Sequence, residues 1–129
     1  MHKLFALLLG GAFLLGGCMQ ARQAASSVQA FTASWGDTAA QHRGHEGMRI
    51  AYLCPPGGTA HTVWGSGPYT DDSSVCTAAV HAGVITFASG GRVVISMRPG
   101  RGSYSGSTRN GVTTLDYGEW GGSFDVRTD

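Results

Sequence analysis

The chain has 129 residues, 42% of them hydrophobic and 13% charged, with nine Lys and Arg against eight Asp and Glu for a formal net charge of +1. This length fits one small domain beyond a targeting segment, and the balanced charge argues against a general nucleic-acid binder, which carries a strongly basic face. Twenty-one glycines point to many short elements instead of long helices.

Met1-His2-Lys3 is a short cationic start, Leu4 to Leu15 is almost unbroken apolar sequence, and Gly16-Gly17-Cys18 follows at once. The pattern reads as a secretion signal over residues 1–17. Its apolar run falls short of the roughly 20 residues that a transmembrane helix needs. Leu15-Gly16-Gly17-Cys18 resembles a bacterial lipobox, which implies acylation of the Cys18 thiol by a fatty acid such as palmitate; cleavage among Ala21 to Ser26 is the alternative. The expected product is a lipid-anchored protein of the cell envelope, at the outer membrane and facing the periplasm where the host has two membranes. Loss of Lys3 leaves eight arginines facing eight acidic residues, so no bulk electrostatic partner is implied. Residues 18–33, rich in Ala, Gln and Ser, read as the lipidated N-terminus and a flexible tether, and residues 34–129 as the folded domain.

Three cysteines in an exported chain leave an odd thiol. With Cys18 acylated, Cys54 and Cys76 remain as a pair. A disulfide between them closes a loop worth roughly 3 kcal/mol by chain entropy, and oxidising compartments permit it. The other use of the pair is a zinc site completed by His61 or His81, although no CxxC motif supplies the close ligand spacing of structural zinc.

In chain order, Met48, Ile50 and Tyr52 alternate with Arg49 and Ala51, the period of a half-buried strand. One helix is expected between Asp72 and Gly83. Thr70, Asp71 and Asp72 offer oxygens to its first amides, and Gly83 suits the left-handed stop. Val75, Cys76, Ala79 and Val80 share one side of it, while Ser74, Thr77 and His81 form a polar stripe expected to be partly exposed. Gly90-Gly91 opens a strand in which Val93, Ile95 and Met97 point one way and Arg92, Val94, Ser96 and Arg98 the other, and Pro99-Gly100 is expected to end it. Asn110-Gly111 predicts a hairpin turn joining the Tyr104 segment to Val112–Leu115. Gly121-Gly122 then precedes a last strand over Ser123 to Arg127, for a total of four or five strands.

Taken together, Cys54-Pro55, Val63-Trp64-Gly65, Tyr69, Asp72-Ser73-Ser74-Val75-Cys76 and Ala78-Ala79-Val80-His81-Ala82-Gly83-Val84-Ile85 resemble the signature of the LCCL domain, an extracellular binding module. Gly90-Gly91, Pro99-Gly100, Tyr104, Asn110-Gly111-Val112 and Trp120 with Ser123-Phe124 continue it in order, so the resemblance runs from about Trp35 to Val126. It implies an α+β fold with one central α-helix wrapped by two short-stranded β-sheets. It also implies binding, since LCCL domains have been proposed to take lipopolysaccharide. Animal members usually carry four cysteines in two bridges, whereas only Cys54 and Cys76 stand in this domain.

No catalytic motif is legible. Ser74, Thr77 and His81 sketch a nucleophile and base, but seven residues of helix hold Ser74 and His81 about 10 Å apart, and no GxSxG, HExxH or P-loop occurs. His42, His45 and Glu46 lie in a Gly-containing stretch and read as a solvated loop, so no metal or cofactor is expected. Arg92, Arg98, Arg101 and Arg109, with Tyr104 and His81 nearby, are the candidate ligand-binding residues, because guanidinium groups match phosphate and carboxylate geometry. The reading is a noncatalytic module, held to the membrane through its N-terminal lipid and recognising an anionic glycan, a lipopolysaccharide-like glycolipid or an envelope protein. The alternatives are a structural subunit of an envelope complex and a hydrolase.

Overall fold

The structure is a computed structural model that describes residues 28–128. The leader, Cys18 and most of the expected tether lie outside the described residues. Among the described residues seven strands form: β1 (Ala30–Thr32), β2 (Arg49–Cys54), β3 (Tyr69–Thr70), β4 (Gly91–Arg101), β5 (Thr108–Arg109), β6 (Val112–Thr113) and β7 (Trp120–Arg127). They are joined by a 3-10 turn at Ala40–His42 and one α-helix, α1 (Val75–His81). The first five-stranded sheet runs β1-β2-β4-β7-β3, and β5 and β6 form a separate two-stranded sheet. This is the α+β arrangement that the family resemblance implies. Ala30–Thr32, expected within the tether, is in the sheet instead, pairing in parallel with Ala51–Leu53.

All seven residues of α1 are buried. Ile50, Tyr52 and Cys54 of β2, Val93, Ile95 and Met97 of β4, and Phe124 of β7 pack with Val75, Cys76, Ala78, Ala79 and Val80 in one core. The odd residues of β4 therefore face the helix, as the alternation predicts, and the Cys54–Cys76 disulfide ties the end of β2 to the second residue of α1. Both sulfurs are committed to that bond, which removes the zinc alternative. At the C-terminal end, Gly83 at φ 84° donates to Val80 O and Val84 N donates to Ala79 O, both at 2.9 Å, the paired bonds of a left-handed glycine stop.

Other expectations are corrected. The helix begins two to three residues late, because the cap is Ser74, whose Oγ accepts from Thr77 N, and not Thr70, Asp71 or Asp72. The stripe of Ser74, Thr77 and His81 is buried throughout, since the β5–β6 hairpin and the Trp35 segment cover that side. Pro99-Gly100 does not end β4, which continues to pair Pro99 with Gly122 and Arg101 with Trp120. By then β2 has ended opposite Ser96, so the missing proline N–H falls on an unpaired strand edge where it disturbs no ladder. The Asn110-Gly111 turn forms as expected, with φ of 52° and 78°. Its strands are only two residues long, and Tyr104 meets Tyr117 in an isolated bridge.

Candidate functional site

Residues predicted as ligand contacts divide three ways. His81 is fully buried and held at both ring nitrogens: Tyr69 Oη lies 2.9 Å from Nδ1, while Ser107 O and Oγ lie 3.3 and 3.1 Å from Nε2. A carbonyl only accepts, so Nε2 carries the proton and Nδ1 accepts from the tyrosine. Burial pushes the His81 pKa below its ordinary value, with nearby Arg109 acting in the same direction and the Ser107 carbonyl opposing them. Burial likewise lifts Tyr69 to about 12, which keeps its hydroxyl a donor. Tyr104 is also inside; its hydroxyl accepts from Arg101 N and donates to Trp120 O. Neither His81 nor Tyr104 is a surface contact, because each satisfies its polar atoms within the fold. Ser74, sketched as a nucleophile, donates to Trp35 O at 2.6 Å.

The four candidate arginines do not share one surface. Arg92 and Arg98 stand on the even side of β4, away from α1. Arg101 points with the odd residues and lines a cleft beside Trp120, and also a smaller cleft that it shares with Arg98, Pro99, Ser123 and Asp125. Arg109 sits on the hairpin, donating to Ser66 O at 3.2 Å, and lines a cleft with Asp125 and Arg127.

What the register assembles instead is an outer sheet face. Arg49 pairs with Ser96, Val94 with Arg127, Ser96 with Asp125, and Arg98 with Ser123. Arg49, Arg92, Arg98 and Arg127 therefore rim a floor of Ala51, Val94 and Ser96. Arg92 and Arg98 are about 20 Å apart along the strand, and Arg49 and Arg127 about 10 Å apart across it. Asp125 is the only acid among the described strand residues of this face, and it holds Arg98 at 3.3 Å with both side chains solvent-accessible. Arg92 donates to Val28 O at 2.6 Å and Arg127 lies 3.4 Å from Ser96 Oγ, which orients both along the sheet. Arg49 and Arg127 were missed in the sequence because they lie on other strands. The signal was there in their parity, once β2 and β7 are set beside β4.

A second polar cluster lies at the opposite side of the sheet end. Asp71, fully buried, accepts two bonds of 2.7 Å from Arg43 and one of 2.8 Å from Trp120 Nε1. That hydrogen bonding raises the Arg43 pKa above its ordinary value. Arg43 also lies 4.9 Å over the Trp120 ring. Gly122 is required here: a Cβ would collide with Asp71 Oδ2 and come within 2.9 Å of Arg43 Nε.

Among the described residues, no helix is long and apolar enough to cross a membrane. Comparison with known proteins places the residues in context. Vitrin of Bos taurus is 43% identical over 75 residues, 57% of this chain and 11% of that protein. Cochlin of Homo sapiens is 42% identical over 76 residues, 57% of this chain and 14% of that protein. The cysteine-rich secretory protein LCCL domain-containing 2 of Homo sapiens is 46% identical over 56 residues, 43% of this chain and 11% of that protein. The chain thus spans only a small part of the length of these relatives. The LCCL domain model matches residues 26–124, covering β1 through the core of β7 with the helix and its disulfide, and the chain belongs to the LCCL domain family.

Proposed function

We propose that the chain is a noncatalytic, extracytoplasmic binding module whose outer sheet face docks onto phosphate or carboxylate groups of an envelope glycolipid or acidic glycan. The observation that carries this reading is the alignment of Arg49, Arg92, Arg98 and Arg127 on one face with Asp125 as the only acid among its described strand residues. Guanidinium groups form bidentate bonds to both anions and are less strongly hydrated than ammonium groups. Strand-borne side chains also hold their spacing better than loop-borne ones. An oxidising compartment agrees with the Cys54–Cys76 bridge, and one relative is named a secretory protein.

Acylation of Cys18 belongs to the same proposal, because an anchor near the envelope raises the local concentration of its ligands. Labelling with a fatty-acid probe in cells tests the anchor: label should enter the wild-type chain and not Cys18→Ser, and equal labelling of both would contradict it. For the docking face, the measurement is retention on vesicles carrying lipopolysaccharide against plain phosphatidylcholine vesicles. Wild type should be retained on the first only, and more weakly as salt rises. Replacement of all four arginines by Gln should abolish retention. A folded quadruple variant that binds as well as wild type sinks this reading.

An assembly role is the second reading, favoured by Phe31 and Leu53, which are 61% and 42% exposed beside the β1 edge. Crosslinking in intact cells separates it, since it predicts a protein adduct through that edge.

A further inference from the structure

Beyond Phe124 the last strand keeps a neighbour on one side only. β4 pairs with β7 as far as Arg127, whereas β3 meets only Phe124 and Ser123. The hydrogen bonding fixes which groups are left over. Gly122 O accepts from Asp71 N on the β3 side, and backbone direction alternates along an antiparallel strand, so the even residues of β7 turn their N–H and C=O towards β3. Phe124 uses its pair on Tyr69. Val126 presents the next pair to that side, and no described residue bonds them.

The chain does not supply a strand there. Gly65 bridges back to Tyr69, so residues 66–68 form a turn and do not prolong β3, and Ser66 O accepts from Arg109 and not from β7. Alongside lies a cleft of about 490 Å³ between β7 residues 125–128 and a wall of Gly67, Ala82 and Arg109. A Cβ on Gly67 would meet nothing within 4 Å. The outward side chains of β7 lean the other way, Asp125 to Arg98 and Arg127 to Ser96, both over β4. An open strand edge beside a cleft is the setting in which an extended peptide adds as a further strand.

Charge selects among peptides. Arg109 and Arg127 line the cleft against one acid, Asp125, which Arg98 already holds. The N-terminal segment of this chain does not match, because residues 19–29 contain Arg22 and no acid. We propose that the free edge of β7 docks an extended acidic peptide of a partner protein by strand addition. The peptide backbone bonds Val126 N–H and C=O, its carboxylates meet Arg127 and Arg109 at the mouth of the cleft, and its alternate side chains lie over Ala82 and Tyr69. This edge adjoins the outer arginine face and shares Asp125 and Arg127 with it. What sets it apart is its dependence on backbone groups.

The test is fluorescence-anisotropy titration of the folded domain with a labelled hexapeptide of alternating Glu and Val. Two controls run beside it, the same peptide with Lys for Glu and the same peptide N-methylated at every backbone amide, and amide hydrogen exchange is followed in parallel. The Glu-Val peptide should bind at least tenfold more tightly than either control. It should also slow exchange of the Val126 amide, which in the free domain should exchange faster than that of Phe124. Val126→Pro removes the donor without touching the β4 ladder, which uses the odd residues, and should cut peptide binding at least tenfold while leaving lipopolysaccharide-vesicle retention unchanged. Changing Arg49, Arg92 and Arg98 to Gln should do the reverse, so the edge and the outer face fail separately. The wild-type readings decide the case even where Val126→Pro does not fold. No binding of the Glu-Val peptide, equal binding of the N-methylated peptide, or protection of β1 amides in place of Val126 would overturn the proposal.

Discussion

On the helix side of the five-stranded sheet, Asp71, Ser74, Thr77 and His81 are buried and each is matched by named partners. On the outer side, Arg49, Arg92 and Arg98 reach solvent around a floor of small residues. Both sides are polar, yet they answer different demands. A buried polar group without a partner costs roughly 1–3 kcal/mol, so the inner set is organised for stability. The outer guanidinium groups stay at the solvent even where they are held, Arg98 by Asp125 and Arg92 by Val28 O, so an external anion can reach them. The contrast teaches that in this small domain residue type alone does not separate structural polarity from recognition; the strand face does.

The largest effect should come from the inner side. Replacing both Cys54 and Cys76 by Ala should lower stability by roughly 2–5 kcal/mol, read from urea unfolding, while the purified native protein should show no free thiol at either position. Close behind, Asp71→Ala removes the acceptor of two Arg43 bonds and of Trp120 N–H, and should cost about 3 kcal/mol. A loss under about 1 kcal/mol would mean that this cluster is replaced by water and does not hold the strand ends together.

A smaller effect is pH-dependent. Because burial depresses the His81 pKa, the unfolded chain takes up this proton before the folded one. Stability contributed by neutral His81 is fully present above the unfolded value of about 6.5 and falls as pH drops below it towards the folded pKa. Urea midpoints should therefore decline between about pH 7 and pH 5 in wild type. The part due to His81 should vanish in His81→Gln. An unchanged slope in that variant would assign it to other groups. Smallest of all, single Gln substitutions at Arg92 or Arg98 should alter stability by no more than about 0.5 kcal/mol, which sets the outer face apart from the inner one.

Much of the inner side was legible. Alternation placed Val93, Ile95 and Met97 on the core face, Gly83 marked the helix end, and Asn110-Gly111 marked the hairpin. What escaped depended on long-range pairing. Asp71 reads locally as a helix cap, and only its contacts with Arg43, 28 residues away, and Trp120, 49 residues away, reveal a buried anion. His81 reads as an exposed helix-end histidine until the hairpin closes over it at Ser107. The arginine face required the register of three strands. Runs such as Arg92 to Arg109 suggested a cluster that chain direction then splits between two sides of the sheet.

The central claim, that the outer face and not positive charge in general makes the contact, is tested most directly by comparing two sets of substitutions in one assay. Retention on lipopolysaccharide vesicles should be lost when Arg49, Arg92, Arg98 and Arg127 are changed to Gln. It should fall less when Arg101 and Arg109, which only border that face through the clefts they share with Arg98 and with Arg127, are changed instead. Equal losses for the two folded variants, or a greater loss from the second, would contradict the account.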